Sequence, residues 1–295
     1  MRTIVAIGAH HDDIEVRCGG TLARCIAEGW KVVYVVATTT PHYHPWPGEK
    51  AAGTYLSNAE IIDLRKKECR RSSAILGIND VNFFDFKSLY WYKPGSTLEH
   101  RYFDGHETTI EEFRYLNEKL PGREFIVTAA CCPSAVEFLC NFLIEKDASI
   151  VLTHFPDDGH WEHYATANFV HTGVNRLVSK GKQIALYAWE HGGGGNLTTS
   201  FAPTNFVDIT ETIDVKCQAL LSFVSQFQDH DPQLFVDSAK KKAKEYGALV
   251  GLKCAEPFMK FQIPAASYMD IHLADTYEPK KARCEGIGAS LFSSR

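Results

Sequence analysis

Thr3-Ile4-Val5-Ala6-Ile7-Gly8-Ala9-His10-His11-Asp12-Asp13 is an almost wholly apolar run that ends abruptly in two imidazoles and two carboxylates. A β-prone run of this kind predicts a strand buried on both faces, as parallel sheets require. Gly19-Gly20 follows, then a helical stretch from Thr21 to Glu28, with Gly29 where a C-cap needs it. Lys31 to Thr38 is a second apolar strand. Strand, helix and strand in succession make a βαβ unit, which implies a parallel sheet with a right-handed crossover.

The same alternation continues outward. Ser57 and Glu60 form a capping box that starts a helix closed by Gly77, ahead of a third strand at Val81 to Phe86. Glu124 to Ala130 predicts another strand and Ala135 to Lys146 a helix. Ser149 to Thr153 is a strand running into a second polar cluster, Pro156-Asp157-Asp158-Gly159-His160-Trp161-Glu162-His163. Next come a helix from Tyr164 to Ser179, a strand from Gln183 to Trp189 and a glycine loop at Gly192 to Gly195. A short strand at Asn205 to Ile209 precedes helices from Thr210 to about Phe227 and from Asp237 to Leu249. No repeat, linker or composition break interrupts the chain. The expectation is a single α/β domain over 1–295, with a Rossmann-like, mainly parallel sheet flanked by helices. Segments near 39–56 and 87–122 fit no period and are expected to be specificity insertions.

Composition narrows the function classes. Of 295 residues, 45% are hydrophobic, and the net charge is −5. That charge offers no electrostatic footprint for nucleic acid, and it disfavours a highly anionic substrate unless a local basic patch overrides it. No stretch approaches the roughly 18 apolar residues of a membrane span. The nine cysteines include no C-x-x-C pair and one vicinal pair, Cys131-Cys132. Cys25, Cys140 and Cys217 lie in apolar surroundings, so the cysteines read as reduced core thiols and the compartment as cytoplasmic.

Open α/β sheets bind ligands at the carboxyl ends of their strands. Both polar clusters follow strand ends, and together they offer imidazoles and carboxylates but no thiols. Two histidines and one carboxylate around an open position form a common catalytic zinc arrangement, although the same donors suit iron or manganese. The competing reading makes His10 and Asp12 helix caps and the second cluster a solvated loop. A His/carboxylate cluster after each of two strands favours the metal. A nucleotide- or methyl-donor-binding Rossmann protein is the rival from another class, but no G-x-G-x-x-G is present and the glycines follow the polar cluster.

Ala9-His10-His11-Asp12-Asp13 followed by Cys18-Gly19-Gly20-Thr21 resembles the AHPDD-x(n)-GG signature of the PIG-L/LmbE deacetylases. Gly159-His160-Trp161-Glu162-His163 is similar to that family's HPDH motif, and Arg65 with Glu68 to its R-x-x-E element. Phe206-Val207-Asp208-Ile209-Thr210, Lys216, Ser225-Gln226 and Ala255-Glu256-Pro257-Phe258 resemble its closing segments. The likeness spans about residues 3 to 262 and is weakest between 87 and 148. It implies a zinc-dependent N-deacetylase acting on the acetamide of an N-acetylglucosamine-containing small molecule or glycoside. An amidase for a larger sugar-thiol conjugate and a non-catalytic sugar-binding relative are the alternatives. The resemblance implies zinc (Fe2+ is the other candidate) on His10, Asp13 and His163, Asp12 as general base, His160 as electrophile or general acid, and Arg65 on sugar hydroxyls. It departs from the pattern at His11, which replaces a proline, and at Trp161-Glu162, which replaces Pro-Asp. The partner would be a small N-acetylated sugar, with no nucleic acid and no membrane span, and homo-oligomers are permitted.

Other residues invite a role in such a site. Asp85, after the third strand, can bond sugar hydroxyls, and His191, before the glycine loop, can face the pocket. His42 and His44 read as part of a loop at the pocket mouth, and Trp46, Tyr90, Trp91 and Tyr92 as stacking or packing aromatics. His154 reads as structural, and Lys240-Lys241-Lys242 as a solvated helix face.

Overall fold

The computed structural model describes residues 2–40, 56–88, 90–92, 99–101, 124–190, 201–227 and 231–261. All the described elements lie in one compact unit, Met1–Ile263. Five parallel strands form the body of the sheet: β1 (Thr3–Gly8), β2 (Lys31–Thr39), β3 (Asp80–Lys87), β6 (Ile150–His154) and β7 (Ala185–Trp189). A hairpin of β4 (Tyr90–Tyr92) and β5 (Glu99–Arg101) stands apart from it. Two antiparallel strands, β8 (Asn205–Asp208) and β9 (Ala255–Lys260), complete a seven-stranded sheet in the order β3-β2-β1-β6-β7-β9-β8. The strand order reverses between β1 and β6, so the crevice beyond their carboxyl ends is the place this topology provides for a ligand.

β1 explains its own sequence. Val5 and Ile7 enter a core with Leu139, Val170 and Val174, while Ile4 and Ala6 enter the opposite core with Leu22, Tyr34 and Trp189. Covered on both faces, the strand has no place for a polar side chain. The first core is formed with α3 (Ile126–Ala129), α4 (Pro133–Glu145) and α5 (Trp161–Ser179). The second is formed with α1 (Asp13–Ala27), α2 (Asn58–Ile75) and α6 (Ile213–Leu220). A short 3-10 turn, Val224–Gln226, and α7 (Pro232–Leu249) follow. No helix among the described residues is long and apolar enough to cross a membrane.

Three expectations are corrected, and one strand is added. α1 begins at Asp13, not Thr21, and carries Gly19 and Gly20 inside it. Their bareness admits neighbours: a Cβ on Gly20 would lie 2.9 Å from Ile209, and one on Gly19 3.4 Å from Lys216. The β-prone segment from Glu124 to Ala130 makes one bridge, Lys87 to Phe125, and then turns into α3, where Ile126 and Ala129 are buried. The helix expected from Thr210 to Phe227 breaks into α6 and the 3-10 turn. β9, to which the sequence reading gave no secondary structure, pairs with both β7 and β8 around Pro257, a residue uncommon in interior strands.

Candidate metal centre

Each polar cluster sits where the fold needs it. Asp12 and Asp13 lie at the start of α1, immediately beyond β1. The second cluster links β6 to α5, with His160 as the N-cap of α5 and His163 in its first turn. α5 starts earlier than the sequence suggested, and that shift places His163 and Glu162 on a rigid element.

The two clusters meet. His10 Nδ1 lies 3.1 Å from His163 Nε2 and 3.5 Å from Asp13 Oδ2. His163 Nε2 lies 3.2 Å from Asp13 Oδ1. A tetrahedral zinc with donors at about 2.0–2.1 Å separates them by about 3.3 Å, so this donor set fits a single divalent ion. His163 is shared by two wider groups whose ligand atoms all lie within 4.8 Å of one another, one with His10 and His160, the other with Asp13 and His154. No thiol joins either group, and the eight described cysteines are free.

The atoms behind these donors are anionic. Glu162, fully buried, reaches His10 Nε2 at 2.6 Å. Asp158 Oδ2 reaches His163 Nδ1 at 2.9 Å, and its other oxygen accepts from the His160 N–H at 2.8 Å. A carboxylate behind each imidazole fixes the tautomer that turns the opposite nitrogen inward, an arrangement shared by metal-bound histidines. Burial opposes charging of His163, but Asp13 and Asp158 outweigh it and hold its pKa up to about 10. The same contacts with His163, His154 and His10 pull Asp13 well below the usual carboxylate range despite its burial.

His154 is more deeply involved than its reading as a structural residue suggested. Its ring stacks on His163 at 4.1 Å, and its Nε2 lies 3.2 Å from Asp13 Oδ2. Burial and the neighbouring His163 lower its pKa to about 4, and the Trp189 indole donates to its Nδ1 at 3.2 Å. His160 is also held neutral, by burial and by His10 and His163. Its Nδ1 accepts from the Glu162 N–H at 3.3 Å, which leaves the proton on Nε2.

Arg65 is buried, with its guanidinium 3.6 Å from Asp12 Oδ1. Asp85 lies on β3 with a left-handed φ of 56°, beside a register shift in the β2–β3 ladder. Thr39 Oγ1 and Lys66 Nζ each reach its Oδ1 at 2.6 Å. His11 joins neither ligand group. Its ring is fully buried and, among the described residues, neither nitrogen has a hydrogen bond; the ring lies 6.1 Å from that of Phe83. His191, His42, His44 and Trp46 lie outside the described residues, and β4 is described by its backbone alone. Asp158 was the residue that sequence reasoning passed over. Its signal was its place two residues before His160, where an aspartate can accept from the backbone of the following turn.

The remaining sequence motifs brace α1 and α2. Lys216 bonds Glu256 at 2.6 Å and the Val16 carbonyl at 2.9 Å. Glu256 also accepts from the N–H groups of Gly20 and Thr21 and from the Thr21 hydroxyl. Glu68 accepts from the Ser225 N–H and hydroxyl, joining α2 to the 3-10 turn. The contacts of Lys216 and Glu256 fix the helix that carries Asp13.

The fold and site define a doubly wound α/β protein with a histidine–carboxylate cluster at the sheet's switch point whose donors could hold a metal ion. The chain matches the PIG-L family, described as GlcNAc-PI de-N-acetylase, over residues 5–174, and it belongs to that family. Among solved structures it is similar to the conserved protein TT1542 from Thermus thermophilus, at 23% identity and TM-score 0.57, covering 88% of this chain and 94% of that one. It is similar to GalB, the 4-carboxy-2-hydroxymuconate hydratase from Pseudomonas putida, at 19% identity and TM-score 0.60, covering 89% and 97%. It is also similar to N,N'-diacetylchitobiose deacetylase from Pyrococcus horikoshii, at 18% identity and TM-score 0.59, covering 92% and 86%. A hydratase and a deacetylase share this fold, so the chemistry has to be argued from the site.

Proposed function

We propose that the protein is a zinc-dependent N-deacetylase that hydrolyses the acetamide of an N-acetylglucosamine-containing small molecule or glycoside. The observation that carries this reading is the triangle of His10, Asp13 and His163 donors, 3.1 to 3.5 Å apart, with Asp12 and His160 beside it. Membership of a family described as a GlcNAc-PI de-N-acetylase supports the substrate class. A divalent ion held by these three residues supplies Lewis acidity toward water and an amide carbonyl. Asp158 and Glu162 keep His163 and His10 turned inward.

Asp12 takes the proton of the attacking water, with Arg65 close enough to hold its carboxylate in place. Neutral His160 donates its Nε2–H to the oxyanion that develops on the carbonyl. The proton taken by Asp12 then passes to the departing amine, so water and amide become acetate and free amine. Arg65 and Asp85 bind sugar hydroxyls. Because Thr39 and Lys66 both contact Asp85 Oδ1, Oδ2 remains to accept one. His191 is assigned to the same substrate pocket from its place at the end of β7.

A sugar-binding relative without catalysis would have no use for Asp12 and His160 at the centre, so the hydrolase is preferred. The test is acetate release from a panel of N-acetylated sugars and longer N-acyl analogues, using metal-stripped protein with and without zinc. Zinc-restored release, greatest for the acetyl compounds, is expected. Zinc binding with release only from longer acyl compounds would make the protein an amidase instead. Stoichiometric zinc with no release from any member would contradict the reaction.

A further inference from the structure

His10, Asp12 and Asp13 can act together only if the backbone between β1 and α1 is held still. A proline at position 11 would fix one φ angle of that backbone at about −65°, and His11 does not. Its ring supplies no substitute: His11 is fully buried, yet neither ring nitrogen has a hydrogen bond among the described residues. The His11 carbonyl is the better-held group. It lies one residue ahead of the Asp12 N-cap, and among the described residues no backbone N–H reaches it. A buried carbonyl so placed costs free energy unless side chains satisfy it.

Two side chains do so. Cys69 Sγ of α2 donates to it at 3.0 Å, and the Tyr34 hydroxyl of β2 lies 3.2 Å away. The tyrosine has one hydroxyl proton and a second acceptor, Glu15 Oε2, at 3.0 Å. The thiol's other neighbour, Tyr34 Oη, is more distant at 3.6 Å, so Cys69 is the donor committed to the carbonyl. Burial raises the Cys69 pKa well above that of a free thiol, which keeps the donated proton in place. α2 also carries Arg65, four residues earlier and therefore on the same helix face, and Arg65 reaches Asp12. One helix face thus grips two consecutive residues of the loop. On the other side of His10, Thr38 donates its N–H and hydroxyl to the Ala9 carbonyl at 3.0 and 2.7 Å.

We propose that Cys69, assisted by Tyr34, is a positioning residue: through the His11 carbonyl it holds His10 and Asp12 in working geometry, replacing the restraint a proline would give. The thiol itself touches neither metal nor substrate. The inference rests on the deacetylase reading for the role of Asp12 and on the donor triangle for that of His10.

The test is a mutant cycle on the full chain, with zinc affinity read by chelator competition and acetate release resolved into kcat and KM. Cys69→Ala is expected to weaken zinc binding and lower kcat by about tenfold each, with KM within about twofold, as for other lost partners behind a metal ligand. Cys69→Ser keeps a donor and should recover most of both. The His11 N–H makes no hydrogen bond among the described residues, so His11→Pro removes none. In that background Cys69→Ala should cost less than about twofold, because the backbone is then fixed covalently. A cysteine that only fills space gives another pattern: Cys69→Ser no better than Cys69→Ala, and the same loss in both backgrounds. Either result would overturn the clamp, as would unchanged zinc affinity and kcat in Cys69→Ala. If Cys69→Ala does not fold, the double variant with His11→Pro decides: restored folding supports the clamp, and continued failure overturns it. Zinc binding with no acetate released from any substrate would sink the deacetylase reading alone, and zinc affinity would still decide the clamp. A wild type that binds no zinc would overturn both.

Discussion

Two clusters of buried charge flank α1, and they are built on opposite plans. Midway along the helix, Glu256 is saturated: two backbone N–H groups, the Thr21 hydroxyl and Lys216 all donate to it. At its N-terminus, His10 and His163 turn ring nitrogens toward each other at 3.1 Å, each with a carboxylate at its back. The first cluster closes on itself and needs nothing more. The second gathers lone pairs around one point, which only a proton or a metal ion can satisfy. Both are made of buried ionisable groups, so burial and charge alone do not separate a staple from a site. What separates them is whether the donors and acceptors balance within the protein.

The predictions test that contrast. Asp12→Asn should lower acetamide hydrolysis by about 10²–10⁴-fold with Tm and bound zinc unchanged, because it removes the base and no ligand. A loss of zinc or of fold would show that Asp12 belongs to the scaffold. Lys216→Met should do the reverse. Leaving Glu256 buried without its cation is expected to cost about 3–5 kcal/mol in denaturant unfolding, with an intact donor triangle in whatever folds. A stability change below about 1 kcal/mol would put the staple among pairs of little net value.

His171 offers a third case, a buried imidazole belonging to neither cluster. Among the described residues its Nε2 has no hydrogen-bond partner, and burial lowers its pKa to about 4. The unfolded chain therefore takes up this proton more readily than the folded one does. Stability from this residue should hold above about pH 6.5, fall as the pH drops toward 4, and level off below that. The whole fall amounts to about 3 kcal/mol. In His171→Leu this component of the acid slope should vanish, which urea unfolding at several pH values would measure. Asp158→Asn should have the smallest effect, a zinc affinity lower by about 10–100-fold with the fold retained, read by competition with a chelator.

Much of this was legible in the chain. β1 announced itself because a strand covered on both faces must be apolar throughout, and the polar residues after it could lie only at its carboxyl end. The capping box at Ser57 and Glu60 formed as expected, with Gly77 at a φ of 80° just past the helix. Legibility failed where a distant contact overrode a local signal. Gly19 and Gly20 look like a turn, yet they are helical because Ile209 and Lys216 press against them. Pro257 looks like a strand breaker, yet β9 pairs on both sides around it. At the site, the two clusters and the Glu162 partnership could be anticipated, because each lies within a few residues of a strand end. The hold of Cys69 and Tyr34 on the His11 carbonyl could not, since the three residues come from elements far apart in sequence.

The central claim is that His10, Asp13 and His163 bind one divalent ion. The most direct measurement is anomalous diffraction at the zinc edge from crystals of the zinc-loaded protein. The account predicts one strong peak per chain within bonding distance of His10 Nδ1, His163 Nε2 and an Asp13 carboxylate oxygen. A peak coordinated elsewhere, or none in protein that releases acetate, would contradict it.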